Sequence, residues 1–158
     1  MAEDKVPITP RGVQKLRDEL ARLKEERIRV SRDIGVAREH GDISENAEYH
    51  AAKERQGLVE ARIKDLEDKL SRAEVIDPAR LRGSHVRFGA TVTLTNVETE
   101  EEVTYQIVGA EEADLDAGTI SVSSPLARAL IGKEAGDEVK VLLPVGTRHY
   151  EIGAVDFH

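Results

Sequence analysis

The chain has 158 residues, of which 39% are hydrophobic and 34% are charged, and its formal net charge is −8. This length suits one ordinary domain or two small ones, and no apolar run approaches the roughly 20 residues that a membrane-spanning helix needs. The chain has no cysteine, which excludes disulfides and thiolate chemistry, and its N-terminus lacks the pattern of a signal peptide, so we expect a cytoplasmic protein.

A first long helix is predicted to start at Pro10 and to stop at about residue 39 or 40. Thr9 supplies an N-cap oxygen, and proline suits the first helical position because its missing N–H would be unpaired there. Apolar residues then recur at spacings of three and four, which predicts a seam for one partner helix. These residues are Val13, Leu16, Leu20, Leu23, Val30, Ile34 and Ala37, interrupted by Arg27. Gly41 suits the left-handed position that follows a helix.

A second helix is predicted to open inside residues 42–45 and to end before Pro78. Its matching stripe consists of Tyr49, Ala52, Gln56, Val59, Ile63, Leu66, Leu70 and Ala73. At 1.5 Å per residue each helix is about 45 Å long, and the short connection favours an antiparallel hairpin. Residues 1–78 carry 16 Lys/Arg and 18 Asp/Glu, a mixture typical of a solvated hairpin. Periodicity alone favours a coiled-coil scaffold with no catalytic role.

The connection between the two helices is acidic, with Glu39, Asp42, Glu45 and Glu48 around a small turn. Asp42 and Glu45 have the spacing of a capping box, and on spacing alone this structural role is favoured. Like charges about 4 Å apart nevertheless repel by roughly 1 to 4 kcal/mol, and a cation would relieve that repulsion. Mg²⁺ usually takes one or two carboxylates plus waters and phosphates. The tip, residues 39–48, therefore predicts half of a metal site whose other half belongs to a partner.

Beyond Pro78 the pattern changes to period two, which predicts strands at 91–95, 103–108, 119–122, 139–143 and 150–155. Ser124 and Pro125 are expected to start one short helix that runs through Ile131 and ends at Gly132. An antiparallel sheet around a short helix makes the fold class α+β. Residues 79–158 carry only 7 Lys/Arg and 13 Asp/Glu. Neither half is basic enough to bind free DNA, so a protein partner is favoured.

The run from Ala37 to Lys53, with its Gly-Asp-x-x-Glu-Asn-Ala-Glu-Tyr core, closely resembles the signature of bacterial transcript cleavage factors of the Gre family, in its A-type form. The resemblance extends through 8–9, 62–67, 75–77, 88–90, 105–109 and 120–133. It implies an N-terminal coiled-coil hairpin domain over 1–77. It also implies a C-terminal domain over 83–158 with an FK506-binding-protein-like (FKBP-like) fold that docks on RNA polymerase.

The function that the resemblance implies is that of a transcription elongation factor whose hairpin tip enters the secondary channel of a backtracked RNA polymerase. Asp42 and Glu45 would there hold a Mg²⁺ ion shared with the polymerase active site, and the polymerase would cleave the nascent RNA near its 3′ end. The factor would be no enzyme and would hold no cofactor by itself. We expect a monomer, with any DNA contact weak or made through the polymerase.

Ser44 and Asn46 are further candidates for shaping the turn or binding the water, although beside a helix start such residues are more often local caps. Lys53 and Arg55 follow the tip and are candidates for contacting RNA. For most basic residues of the hairpin, however, solvated ion pairs are the simpler interpretation. The resemblance assigns polymerase docking to Ser123, Ser124, Pro125 and Leu126, and Ser124-Pro125 is also an ordinary helix start.

Two other functions compete with this interpretation. An inhibitory paralogue would occupy the same channel and block catalysis, but the intact acidic motif favours the activator. An FKBP-like fold also raises the possibility of a prolyl isomerase. An apolar ligand pocket is usually lined by aromatic side chains, and this domain offers only Phe88, Tyr105, Tyr150 and Phe157, most of which its core needs.

Overall fold

The computed structural model describes residues 4–42 and 45–158. The helices are α1 (Pro10–Arg38), α2 (Ala47–Arg72) and α3 (Pro125–Leu130). The strands are β1 (Val6–Ile8), β2 (Ala73–Val75), β3 (Thr91–Asn96), β4 (Glu102–Val108), β5 (Thr119–Ser121), β6 (Glu138–Leu143) and β7 (Gly146–Asp156). Short 3-10 helices span Pro78–Arg80 and Leu115–Ala117. The predicted α+β class, with a helical hairpin followed by a sheet and one short helix, is confirmed.

None of the helices in the described part of the chain is long and apolar enough to cross a membrane.

The chain forms two compact units that differ from a simple division into N-terminal and C-terminal halves. One unit is Gln14–Arg72, and the other combines Met1–Val13 with Ala73–His158. The sequence pattern instead divides the chain into 1–77 and 83–158, and those domain ranges stay a prediction. The packing therefore groups the start of α1 with the sheet rather than with the rest of the hairpin.

The hairpin unit is held together by the predicted apolar seam. Leu16, Val30, Ile34 and Ala37 of α1 are buried, as are Val59, Ile63 and Leu66 of α2. Ile63 and Leu66 are only 1% and 0% exposed, so full burial of each contributes about 1.5 to 3 kcal/mol. Ala73, which was predicted to extend the α2 stripe, instead begins β2, because α2 ends at Arg72.

Ion pairs between the helices show that α1 and α2 run antiparallel. Glu19 pairs with Arg62, whereas Glu26, further along α1, pairs with Arg55, which lies earlier in α2. Arg27, the residue that interrupts the apolar seam, places its Nε 2.8 Å from a carboxylate oxygen of Glu60. The charged interruption of the seam is thus matched by an acid on the partner helix.

The second unit is built around a five-stranded sheet in the order β5-β4-β3-β7-β6. The β3–β4, β3–β7 and β6–β7 pairs are antiparallel, as expected, whereas β4 and β5 pair in parallel. The register of β3 against β7 shifts between Thr93 and Leu94. Ala127 and Leu130 of α3 are fully buried in the same core as Val92 and Ile107 of the sheet.

A second, two-stranded sheet was not predicted from the sequence. β1 and β2 pair in parallel, with Val6 opposite Ala73 and Ile8 opposite Val75. Thr9 caps α1 as predicted, because its hydroxyl oxygen accepts a hydrogen bond from the Gly12 amide at 3.1 Å. Three-residue strands are too short to show the alternation by which longer strands are recognised.

Candidate functional site

The tip of the hairpin begins where α1 ends at Arg38. The amides of Glu39 and His40 donate to the carbonyl oxygens of Val36 and Ala37, both at 3.1 Å, which tightens the last turn. Gly41 follows with φ of +116°, a left-handed conformation that glycine adopts without steric cost. The predicted glycine stop is therefore present, three residues after α1 ends at Arg38.

Asn46 joins the two helices at the tip. Its Oδ1 accepts a hydrogen bond from the Tyr49 amide at 3.0 Å, which makes it the N-cap of α2. Its Nδ2 donates to the carbonyl oxygen of Ala37, near the end of α1, at 2.6 Å. The prediction that the second helix opens inside 42–45 is wrong, because α2 begins at Ala47 and is capped by Asn46. The local capping role considered for Asn46 is confirmed.

The two candidate acids line one open depression at the tip. The depression has a volume of about 440 Å³, and its lining residues are His40, Asp42, Glu45, Asn46, Ala47 and Glu48. Asp42 and Glu45 are exposed, and the Nδ1 atom of His40 lies 3.5 Å from a carboxylate oxygen of Glu48. Ser44 lies outside the described residues, so its assignment to the site stays a prediction. Among residues 4–42 and 45–158, no group of three or more His, Asp and Glu side chains is arranged to hold a metal ion.

A second contact between the helix ends was missed in the sequence. The guanidinium carbon of Arg38 lies 5.8 Å from the ring centroid of Tyr49, within the range of a cation–π interaction. The His50 ring meets the same Tyr49 ring edge to face, with centroids 5.6 Å apart. Tyr49 is half-buried, as its seam position predicted. The available signal was a basic residue at the end of one helix facing an aromatic residue at the start of its antiparallel partner.

The two basic residues after the tip are placed differently. Lys53 is exposed, and its Nζ donates to Gln56 Oε1 at 3.2 Å. Arg55 hydrogen-bonds Glu26 of α1 through its Nε at 2.6 Å and through a second guanidinium nitrogen. Residues two apart on an α-helix differ by about 200° around its axis, so the two side chains point to different sides. The structure does not bring Lys53 and Arg55 together as one basic surface.

The candidate docking residues surround the start of α3. The Ser124 hydroxyl oxygen caps this helix by accepting a hydrogen bond from the Ala127 amide at 3.2 Å. Ser123 and Pro125 are exposed, and the Ser123 hydroxyl lies 2.8 Å from that of Ser121. Leu126 is half-buried against the core of the sheet unit. Ser123 and Pro125 thus form the accessible part of this surface, while Ser124 and Leu126 have structural roles.

Comparison with known protein families identifies the chain over most of its length. Residues 6–75 match the model described as "Transcription elongation factor, N-terminal", and residues 81–157 match "Transcription elongation factor, GreA/GreB, C-term". The chain belongs to the GreA/GreB family of transcription elongation factors. The resemblance found in the acidic motif is therefore confirmed by both parts of the sequence.

Individual members of the GreA/GreB family are similar over nearly the whole chain. A transcription elongation factor GreA of Cereibacter sphaeroides is 60% identical over 155 residues, which cover 98% of this chain and 99% of that protein. The GreA of Francisella tularensis subsp. novicida is 58% identical over 159 residues, covering 99% of each. Among solved structures, GreA factor homolog 1 (Gfh1) of Thermus thermophilus is 31% identical, covers 96% of this chain and 98% of its own, and has a TM-score of 0.44.

Proposed function

We propose that this GreA/GreB family member binds RNA polymerase, inserts its hairpin tip into the secondary channel and stimulates the polymerase's Mg²⁺-dependent cleavage of backtracked RNA. The observation that carries this proposal is the placement of Asp42 and Glu45 on one exposed depression at the end of a two-helix hairpin. With 29 residues, α1 is about 43 Å long, so it can present this depression deep inside a partner.

The chemistry proposed for the tip follows from its oxygen ligands. Mg²⁺ prefers about six oxygen ligands in an octahedral arrangement and usually takes only one or two from protein carboxylates. Asp42 and Glu45 would supply these one or two carboxylate ligands, and the polymerase and the RNA would supply the remaining ligands. When bound, Mg²⁺ supplies charge stabilisation and an activated water for phosphodiester hydrolysis. Asp42 and Glu45 hold and orient these groups, so the factor assists the polymerase and is no enzyme by itself.

The remaining candidates take supporting roles in this proposal. Lys53 contacts the extruded 3′ end of the RNA, because it is exposed and close along α2 to the tip. Arg55 can contact RNA only after its ion pair with Glu26 breaks. The surface of Ser123 and Pro125 at the start of α3 docks on the polymerase, with Ser124 and Leu126 holding its shape. The factor acts as a cytoplasmic monomer, and its contact with nucleic acid is made through the polymerase.

The proposal is tested with a purified, stalled transcription complex whose RNA is labelled at its 5′ end. Added factor should shorten the RNA in a Mg²⁺-dependent manner, whereas Asp42→Asn and Glu45→Gln should abolish shortening and still compete with wild type for the polymerase. Glu54→Gln is the matched control, because Glu54 is an exposed acid of α2 outside the depression. Full shortening by both tip variants would refute the role of the acids. A factor that blocks RNA synthesis without any shortening would instead be an inhibitor.

A further inference from the structure

We propose that Asn46 is a positioning residue that ties the two ends of the tip loop together and so holds Asp42 and Glu45 in their working arrangement. This inference rests on the proposed function. Its basis is that one side-chain amide contacts the end of α1 and the start of α2 at once. The contact with Ala37 spans nine positions in sequence, and both candidate acids lie between its two partners.

The two hydrogen bonds require an amide of this length. The Tyr49 amide needs an acceptor, and the Ala37 carbonyl oxygen, which already accepts from the His40 amide, has a second lone pair that can take another donor. A carboxamide offers a donor and an acceptor on two separate atoms of one side chain. Gln is longer by one methylene and is a poorer N-cap. Asp, Ser and Thr can cap α2, but an ionised Asp cannot donate at all, and a hydroxyl cannot reach both partners from the same backbone position. Asn46 thus combines a common capping role with a second bond that capping does not explain.

Closing the loop at both ends limits the conformations open to the acids between them. Charged groups assist a reaction most when they are held in place before it begins, because no free energy is then spent on reorganising them. The Arg38–Tyr49 contact also joins the helix ends, but both of its residues lie on the helices themselves. Loss of the Asn46 bridge should therefore affect the acids more than it affects the hairpin.

The test uses two variants that keep the helix cap and lose the bridge. Asn46→Asp has nearly the same size, and Asn46→Ser offers a capping oxygen, yet neither donates to the Ala37 carbonyl oxygen at neutral pH. We expect the factor concentration that half-saturates the stalled complex to stay within about twofold of wild type. At saturating factor, the cleavage rate should fall about tenfold, a typical effect of losing one partly buried hydrogen bond.

A measurement on the isolated protein tests the bridge without the polymerase. The chain has only two asparagines, Asn46 and Asn96. In NMR spectra, one side-chain amide proton of Asn46 should exchange slowly with water. Those of Asn96 should exchange fast, since in the described part of the chain its side chain only accepts hydrogen bonds.

Each result separates this inference from the proposed function. The inference is overturned if the Asn46 protons exchange as fast as those of Asn96, or if both variants cleave at the wild-type rate. It is also overturned if binding and cleavage fall in parallel, because Asn46 would then only support the hairpin. Failure of the wild-type factor itself to shorten RNA would refute the proposed function, and with it the positioning role.

Discussion

Thr9 and Glu112, 103 positions apart in sequence, are joined by two hydrogen bonds. The Thr9 amide donates to one carboxylate oxygen of Glu112 at 2.8 Å, and the Thr9 hydroxyl donates to the other. The same carboxylate accepts a hydrogen bond from the Gly109 amide at 3.0 Å. Glu112 therefore connects the start of α1 to the loop after β4, within one compact unit.

Replacing Glu112 should destabilise the protein. In Glu112→Gln, the neutral amide keeps only one acceptor oxygen for three donors, and hydrogen bonds to charged groups contribute about 1.5 to 3 kcal/mol. We expect the free energy of unfolding to fall by about 2 kcal/mol, measured by urea denaturation followed by circular dichroism. Glu98→Gln makes the same charge change at an exposed turn and should leave the urea midpoint nearly unchanged. Equal midpoints for Glu112→Gln and Glu98→Gln would contradict the importance of this contact.

Two glycines should respond to alanine substitution with opposite signs. A Cβ atom on Gly109 would lie 2.7 Å from the Pro7 carbonyl oxygen, so the backbone must shift and Gly109→Ala should cost about 1 to 3 kcal/mol. A Cβ atom on Gly35 meets nothing within 4 Å, and alanine is the better helix former. Gly35→Ala should therefore stabilise α1 by up to about 1 kcal/mol. Thermal unfolding of both variants checks these signs, and stabilisation by Gly109→Ala would show that the close approach is not present.

The hairpin seam and the main sheet could be predicted from the sequence because each rests on a repeated pattern. Leu66 on the seam and Val92 on β3 belong to runs in which many residues indicate the same period. The parallel pairing of β4 with β5 has no such signal, because a strand shows which face it buries and not its neighbour's direction. The pairing of Ile8 with Val75 was also not predicted, because two three-residue strands far apart in sequence contain too few residues to show a pattern.

Only part of the candidate site could be predicted in the same way. The acids Asp42 and Glu45 stand out by charge density in a short turn. The bond from Asn46 to the Ala37 carbonyl is set by how closely two helix ends approach, and no local pattern records that distance. Likewise, Lys53 and Arg55 look equivalent in the sequence. In the structure they differ, because Arg55 hydrogen-bonds Glu26 of the other helix.

The hairpin should lose a small part of its stability in acid. Arg62 hydrogen-bonds both carboxylate oxygens of Glu19, at 2.9 and 3.0 Å, and this bonding lowers the pKa of Glu19 below its ordinary value. A lowered pKa means that the stabilisation is fully present above the ordinary pKa and is lost as the pH falls through the lowered one. Because both side chains are about one-third exposed, the contribution is about 0.5 kcal/mol.

This dependence can be isolated with Glu19→Gln. The difference between wild type and variant in free energy of unfolding should be present at pH 7 and should shrink as the pH falls below the ordinary carboxyl pKa and through the lowered pKa of Glu19. The neighbouring Asp65 also has a lowered pKa, caused first by the hydrogen bond from Lys69, so it contributes to the acid sensitivity of both proteins. A difference that persists unchanged in acid would show that the ion pair is not its source.

The basic residues after the tip should contribute unequally to transcript cleavage if the proposed function holds. Lys53 is exposed, and within the described part of the chain its side chain bonds the uncharged Gln56, whereas the charge of Arg55 is matched by Glu26. Lys53→Ala should therefore lower the cleavage rate at saturating factor by about two- to fivefold, since a single exposed charge contact contributes up to about 1 kcal/mol. Arg55→Ala should leave the rate nearly unchanged and instead slightly lower the thermal stability of the hairpin.

In Glu26→Gln, which frees Arg55, a cleavage rate above wild type would indicate that Arg55 reaches the RNA once released. The prediction is wrong if Arg55→Ala proves the more damaging change in the same assay.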